Sequence, residues 1–381
     1  MLIQQKIFFD FLRFSIGSAK EIPGSLKEAD WKELYAIAQK QALLGVLFHG
    51  IRRLPKELAP EQKLLMQWMA MAEQIRKQNI RLFQDSVKIC QNFENEGFAN
   101  CILKGQGNAL LYPDSYIRTS GDIDIYLAGG RKRVMQYINK VCPNQVMRYH
   151  HVDFPVMKTA IEVHFTPSYM FCPIHNRRMQ KWFEEVMGEQ CNHRVSLSDG
   201  YGEIHVPQVS FNVIYILSHL YRHIFTEGIG LRQLLDYYYV LVKWHTDLTN
   251  LTDSNKSLPL MTQINTDLDA LRHELKYLGL WKFAQAVMFV MKEVFGLSED
   301  RMIAPMDEKE GRFLLDEIMR GGNFGQYDDR MGSKVGESKI HRYFRMNLRN
   351  LRFVKHYPAE ALSEPLFRTW FAVWKKIHGI E

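Results

Sequence analysis

Only one stretch of this 381-residue chain, about residues 98–205, is patterned like a sheet, and helical periodicity flanks it on both sides. That limits the fold to a small sheet packed among helices. Residues 1–97 repeat apolar side chains at helical spacing, as in "WKELYAIAQKQALLGVLFHGIRRL". Pro55 and Pro60 punctuate the next few residues, and "EQKLLMQWMAMAEQIRKQNIRLFQDSVKICQNFENEG" is one long amphipathic pattern that stops at Gly97. The character changes at residue 98. "FANCILKG" and "GDIDIYL" read as strands with a short helix between them. "RKRVMQYINKV" reads as a helix, and "QVMRYHHVDFPV" and "TAIEVHF" as two adjacent strands. Helical periodicity returns from residue 208, interrupted by the polar "DLTNLTDSNKSLP" and the glycine-rich "MRGGNFGQYDDRMGSKVGES". The expected fold is therefore α+β. A mixed-sheet domain at 98–205 is embedded between an N-terminal helical region, 1–97, and a C-terminal helical region, 206–381.

The second strand raises a chemical question. Strand side chains alternate faces, so Asp122 and Asp124 in "RTSGDIDIYL" project from the same side, a few ångströms apart. Two carboxylates that close raise each other's pKa unless a cation sits between them, and a divalent metal answers that need. Glu162 in "AIEVHF" lies between Ile161 and Val163, so it too points away from the apolar side of its strand. If the two strands are neighbours, three carboxylates converge. Hard oxygen donors of this kind suit Mg²⁺, or Mn²⁺ in its place, and leave positions for water and substrate phosphate. Such a site can stabilise both the attacking and the leaving oxygen of an in-line phosphoryl displacement. Upstream, "LKGQGN" ends a strand at Lys104-Gly105 and opens a helical segment. Glycine lets backbone approach a phosphate closely, and helix starts favour anions. Lys104 and Arg118 supply the positive charge that a triphosphate needs.

The run "CILKGQGNALLYPDSYIRTSGDIDIYL" resembles the bacterial family of uncharacterised nucleotidyltransferases, within the DNA polymerase β-type nucleotidyltransferase superfamily. The likeness continues through "IEVHF", "GIGLRQLLDYYYVL" and "GGNFG". It implies that Asp122 and Asp124 hold the metals and that Glu162 holds one metal near an acceptor hydroxyl. It also implies that the turn of Gly105, Gln106 and Gly107 holds the triphosphate. The implied reaction transfers NMP from an NTP, ATP included, to an acceptor hydroxyl and releases pyrophosphate. Two departures stand out. The superfamily usually has Gly-Ser where this chain has Gly105-Gln106, and the interval from that turn to Asp122 is longer than usual. The alternative is a non-catalytic nucleotide-binding or RNA-interacting protein on the same fold.

Other features have plainer expectations. The net charge of +7 suits an anionic ligand without demanding nucleic acid. Five cysteines with no CxxC exclude a zinc ribbon and argue against a disulfide framework, so a reduced, cytoplasmic setting is expected. The N-terminal "MLIQQKIFFDFLRFSIGSAKEIPGS" is too interrupted by polar residues for a signal peptide or a membrane span. His219 and His223, spaced i,i+4 in "SHLYRHIF", read as histidines satisfied in a helix interface, because the glutamate that a zinc protease needs is absent. His164 shares the face of Glu162, and either lines the site or orients Glu162. Arg232 and Asp236 read as a surface ion pair worth little, with a pocket-lining role for Asp236 as the other reading. Arg342, Arg345, Arg349 and Arg352 form a helical stripe opposite Ile340, Phe344, Leu348 and Leu351, expected to be a solvated face.

Overall fold

The computed structural model describes residues 3–254, 260–330 and 338–378. The N-terminal region is helical: α1 (Ile3–Ile16), α2 (Trp31–Lys40), α3 (Leu44–Ile51) and the 34-residue α4 (Gln62–Asn95). Helix α2 starts where Asp30 accepts hydrogen bonds from the Lys32 and Glu33 backbone N–H groups, satisfying two donors that a helix start leaves open. Along α4, Trp68, Ile75, Asn79, Leu82, Ser86 and Phe93 are buried at steps of three, four or seven residues, so one stripe faces inward for the whole length.

All strands of the described residues fall in the segment marked by sequence. They are β1 (Asn100–Ile102), β2 (Ile123–Leu127), β3 (His151–Asp153) and β4 (Ile161–His164), with the short helix α5 (Gly105–Ala109) after β1 and α6 (Gly130–Val141) after β2. The sheet order is β1-β2-β4-β3. β2 and β4 run parallel, and the two outer strands are antiparallel to their neighbours. A separate hairpin, β5 (Arg194–Ser196) and β6 (Glu203–His205), comes after α7 (Pro173–Gln190). Helix α7 is an element the sequence patterning leaves unmarked.

The two faces of the sheet meet different surroundings. Ile123, Ile125, Leu127 and Val163 pack under α4 and α6, against Leu82, Phe83, Phe93, Val134 and Ile138. Each such fully buried aliphatic side chain contributes roughly 1.5–3 kcal/mol. The alternate residues Asp122, Asp124, Tyr126, Glu162 and His164 face the other way, toward the larger core built by the C-terminal helices. Those helices are α8 (Val209–Thr226), α9 (Leu231–Ser254), α10 (Leu260–Tyr277), α11 (Trp281–Phe295), α12 (Glu308–Gly321), α13 (Lys339–Val354) and α14 (Pro358–Ile377). Every residue of α8 from Phe211 to Phe225 is buried, which makes it the central helix of this core. No helix of the described residues is long and apolar enough to cross a membrane.

The arginine stripe of α13 is oriented opposite to expectation. Arg349 lies 3.7 Å from Asp328, and Arg352 is ion-paired with Glu317 of α12. Meanwhile Phe344 and Leu348 are 62% and 69% exposed, and Leu351 is exposed beside them. The acidic partners come from α12 and the turn after it, so a helical wheel of α13 alone cannot show which side faces inward. The side chains of Ile340 and Arg342 lie outside the described residues, as do positions 255–259 of the polar interruption and 331–337 of the glycine-rich one.

Candidate active site

The parallel pairing of β2 with β4 puts Asp124 directly opposite Glu162, and Ile125 opposite Val163. Neighbours in register share a face, so the two carboxylates stand side by side, with Asp122 one step before β2. On the other flank β3 pairs His151 with His164 and Asp153 with Glu162. The result is a patch of carboxylates and imidazoles at one end of the sheet. His164 Nε2 lies 2.9 Å from Asp124 Oδ1 and 3.7 Å from Glu162 Oε2, and His151 Nε2 lies 3.4 Å from the same Glu162 oxygen. Lys104, at the end of β1, sets its ammonium 3.0 Å from Asp124 Oδ1 and 3.2 Å from His219 Nε2.

The electrostatics separate the two aspartates. Burial alone would raise the Asp124 pKa, but the Lys104 ammonium and His164 hold it well below the usual carboxylate range. Asp122 is pushed the other way, up to about 6, first by the charge of Asp124 and then by burial, with Lys104 only partly offsetting them. Oxygens of Asp124 and Glu162 lie within 4.8 Å of each other and of His164. The donor set therefore fits a divalent cation.

These groups line a pocket of about 630 Å³ whose far wall comes from α8 and α14. His219, Arg222 and His223 line it from α8, and Arg368 and Phe371 from α14. His219 and His223 are thus pocket walls rather than inert interface residues. Arg222 is a residue that the sequence patterning does not single out. The residue is 8% exposed, and its guanidinium lies 5.0 Å over the Tyr169 ring, with the two histidines as its nitrogen neighbours. Among the described residues no carboxylate lies within ion-pair distance of it, and its Nε has no hydrogen-bond partner. Only the fold, by turning α8 toward the sheet, distinguishes this arginine from the others.

The remaining expected residues fall elsewhere. Gly105 has φ +50°, a left-handed backbone that favours glycine, and a Cβ there would lie 3.6 Å from the Asp122 carbonyl. Gly107 packs so closely that a Cβ would meet Val206 at 3.0 Å. Gln106 is buried, and its amide donates to Asn79 Oδ1 of α4 at 3.2 Å. Asn79 in turn donates to the Tyr116 and Arg118 carbonyls and accepts from Ser120, which fixes the loop leading into β2. Arg118 does not reach the pocket. It is 3% exposed and makes a bidentate pair with Asp236 of α9, both bonds 2.8 Å, while its third nitrogen donates to Ser120. Tyr112 also donates to Asp236, at 2.7 Å, and Arg232 lies 3.7 Å from it. Asp236 is therefore neither a surface partner nor a pocket residue. It is the buried counter-charge that ties the loop before β2 to α9.

A model of the uncharacterised nucleotidyltransferase family matches residues 27–296 of this chain. That span is well over half the sequence and contains the sheet, the carboxylates, Lys104 and α8. The chain belongs to this family, and the assignment supports nucleotidyl transfer as its general role. No curated protein and no solved structure matches it.

Proposed function

We propose that this protein is a metal-dependent nucleotidyltransferase that moves NMP from an NTP to an acceptor hydroxyl and releases pyrophosphate. The observation that carries the reading is the register of β2 against β4, which sets Asp124 beside Glu162 with Asp122 one step away, over a pocket with basic residues on its far wall. Asp122, Asp124 and Glu162 would hold Mg²⁺. When bound, the ion supplies positive charge that favours the ionised acceptor hydroxyl and offsets charge on the departing pyrophosphate. The acceptor oxygen forms a bond to the α-phosphorus, and the bond from that phosphorus to the bridging oxygen of the β-phosphate breaks in line. Glu162 Oε2, at the edge of the carboxylate set, takes the hydroxyl proton. Lys104 exchanges Asp124 for the β and γ phosphates, a move its flexible four-carbon stem allows. Arg222 faces the same anion from α8. Gly105, left-handed beside the Asp122 carbonyl, keeps a side chain out of the approach to Asp122, while Gln106 and Gly107 are committed to Asn79 and Val206. Arg118 acts at one remove, holding the loop that presents Asp122.

Two of the four arginines behind the RNA-binding reading, Arg349 and Arg352, are committed to Asp328 and Glu317, which weighs against that reading. The test is incubation of the wild-type chain and Asp122→Asn with each labelled NTP, Mg²⁺ and a cell lysate as acceptor source. Wild type should transfer label and the variant should not. Wild type that transfers none with any NTP overturns the reading.

A further inference from the structure

The helices α13 and α14 leave an apolar face uncovered. Phe344, Leu348 and Leu351 form a row on α13, and Leu362, Leu366, Trp370, Val373 and Ile377 form one on α14. Each of these side chains is more than half exposed. Their spacing of three or four residues makes each row a single helix face. The helices run antiparallel and touch where the Tyr343 and Thr369 hydroxyls lie 3.0 Å apart and Arg368 donates to Asn347 at 3.3 Å. Phe344 and Leu348 come one position after Tyr343 and Asn347, and Trp370 comes one after Thr369. On both helices that is a turn of about 100° from the contact line in the same sense. In an antiparallel pair it brings both rows to one side. An exposed apolar patch of this extent marks a site of contact.

Charge indicates what the face contacts. Over residues 338–378 Lys and Arg outnumber Asp and Glu by nine to two, an excess of seven that equals the net charge of the whole chain. Counting Asp328 and Glu317, the outside partners of Arg349 and Arg352, still leaves an excess of five. Lys355 continues the α13 row four positions after Leu351, and Lys376 flanks the α14 row beside Ile377; both are exposed. A second copy of the chain would set this positive charge against itself. RNA would answer the charge but leave the leucines in water. An anionic bilayer answers both, because lysine stems reach across apolar surface to the headgroups while Leu, Phe and Trp enter the acyl boundary. The family model ends at residue 296, before either helix begins.

We infer that the α13–α14 pair docks this chain on the surface of an anionic lipid bilayer. The two apolar rows enter it by about 5–10 Å, with Lys355 and Lys376 at headgroup level. The pair lies on the bilayer and does not cross it, since neither helix is long and apolar enough to span. Docking needs no activity at the carboxylate site, although the opposite side of α14, through Arg368 and Phe371, walls that pocket.

The test is sedimentation of the full chain with vesicles, without nucleotide. Wild type should sediment with vesicles of equal parts phosphatidylcholine and phosphatidylglycerol, and at least tenfold more weakly with phosphatidylcholine alone. Leu348→Asp and Leu366→Asp should each weaken binding to the mixed vesicles at least tenfold with unchanged melting temperature, because both side chains are exposed. Lys355→Glu combined with Lys376→Glu should weaken it several-fold and flatten its dependence on salt. Tryptophan emission of wild type should shift to the blue on the mixed vesicles, and Trp370→Phe should reduce that shift. Absence of sedimentation with the mixed vesicles overturns the inference, and so does binding that neither Leu348→Asp nor Leu366→Asp weakens. A lipid-free dimer that Leu366→Asp splits assigns the face to a second copy and overturns it as well. So does binding of single-stranded RNA with no binding of vesicles. Vesicle binding by a chain that transfers no nucleotide keeps this inference and sinks the proposed function; transfer without vesicle binding does the reverse.

Discussion

Two buried charge clusters lie at opposite ends of one short loop, residues 118–124, and they are resolved in opposite ways. At one end Arg118 and Asp236 satisfy each other: a bidentate pair, with Tyr112, Ser120 and Arg232 completing the shell. Burial opposes the charge on each, but the partner outweighs it, so Asp236 stays below and Arg118 above its ordinary pKa. At the other end Lys104 pairs with Asp124, while the charge of Asp124 and burial push the Asp122 pKa up to about 6. Both clusters bury aspartate carboxylates beside a basic side chain. A balanced cluster holds the fold together. The other is held in place by the fold, and under the proposed function it is where the metal and nucleotide bind.

The sharpest way to break this contrast is to neutralise one carboxylate from each end. Glu162→Gln should retain NTP binding, because Asp122 and Asp124 remain, yet lose transfer by on the order of a thousandfold, about 4 kcal/mol in the barrier, with little change in melting temperature. Kinetics at saturating NTP, set beside equilibrium binding of labelled NTP, check it. If Glu162→Gln and wild type bind equally and both are inert, a binding protein on this fold is the better description. Asp236→Asn should do the opposite. Leaving Arg118 buried and unpaired should cost about 3–5 kcal/mol of stability in denaturant unfolding. A loss below about 1 kcal/mol would mean the two ends do not differ in kind.

Smaller effects sharpen the same division. Asp122→Asn should stabilise the metal-free chain by about 3 kcal/mol at pH 7–8, because the raised pKa makes the ionised carboxylate unfavourable in the folded state. The sign comes from that shift. Asp122 favours folding relative to its charged form at low pH, and this benefit is lost as pH rises from about 4 through about 6. The gain from the amide should therefore fade as the pH is lowered across the same window. A variant that unfolds earlier than wild type at every pH would make Asp122 a structural partner. Lys104→Ala should weaken NTP binding about tenfold, roughly 1.4 kcal/mol, with a smaller effect on transfer at saturation.

How much of this contrast is legible in the sequence depends on distance along the chain. Alternation within one strand suffices to put Asp122 and Asp124 on one face, and the flanking Ile161 and Val163 do the same for Glu162. The helical character of both flanks and the confinement of strands to 98–205 are equally local, and the structure agrees with both. Pairings between distant segments are not legible. Arg118 resembles a phosphate ligand in the sequence because its partner Asp236 sits on α9, more than a hundred residues later. The i,i+4 spacing of His219 and His223 defines a helix face, but only the packing of α8 turns that face, and Arg222 with it, toward the carboxylates. The α13 stripe reads with the wrong side inward for the same reason, since Glu317 and Asp328 are not on that helix.

The claim that the carboxylate cluster is a nucleotidyl-transfer site is tested most directly by the position of the label. Wild-type chain, Mg²⁺ and lysate acceptors are incubated in parallel with NTP labelled at the α-phosphate and at the γ-phosphate. A nucleotidyl-transfer site should attach the α-label to an acceptor while the γ-label leaves in pyrophosphate, and both events should disappear in Glu162→Gln. Transfer of the γ-label to an acceptor, or no movement of either label with any NTP, would contradict it.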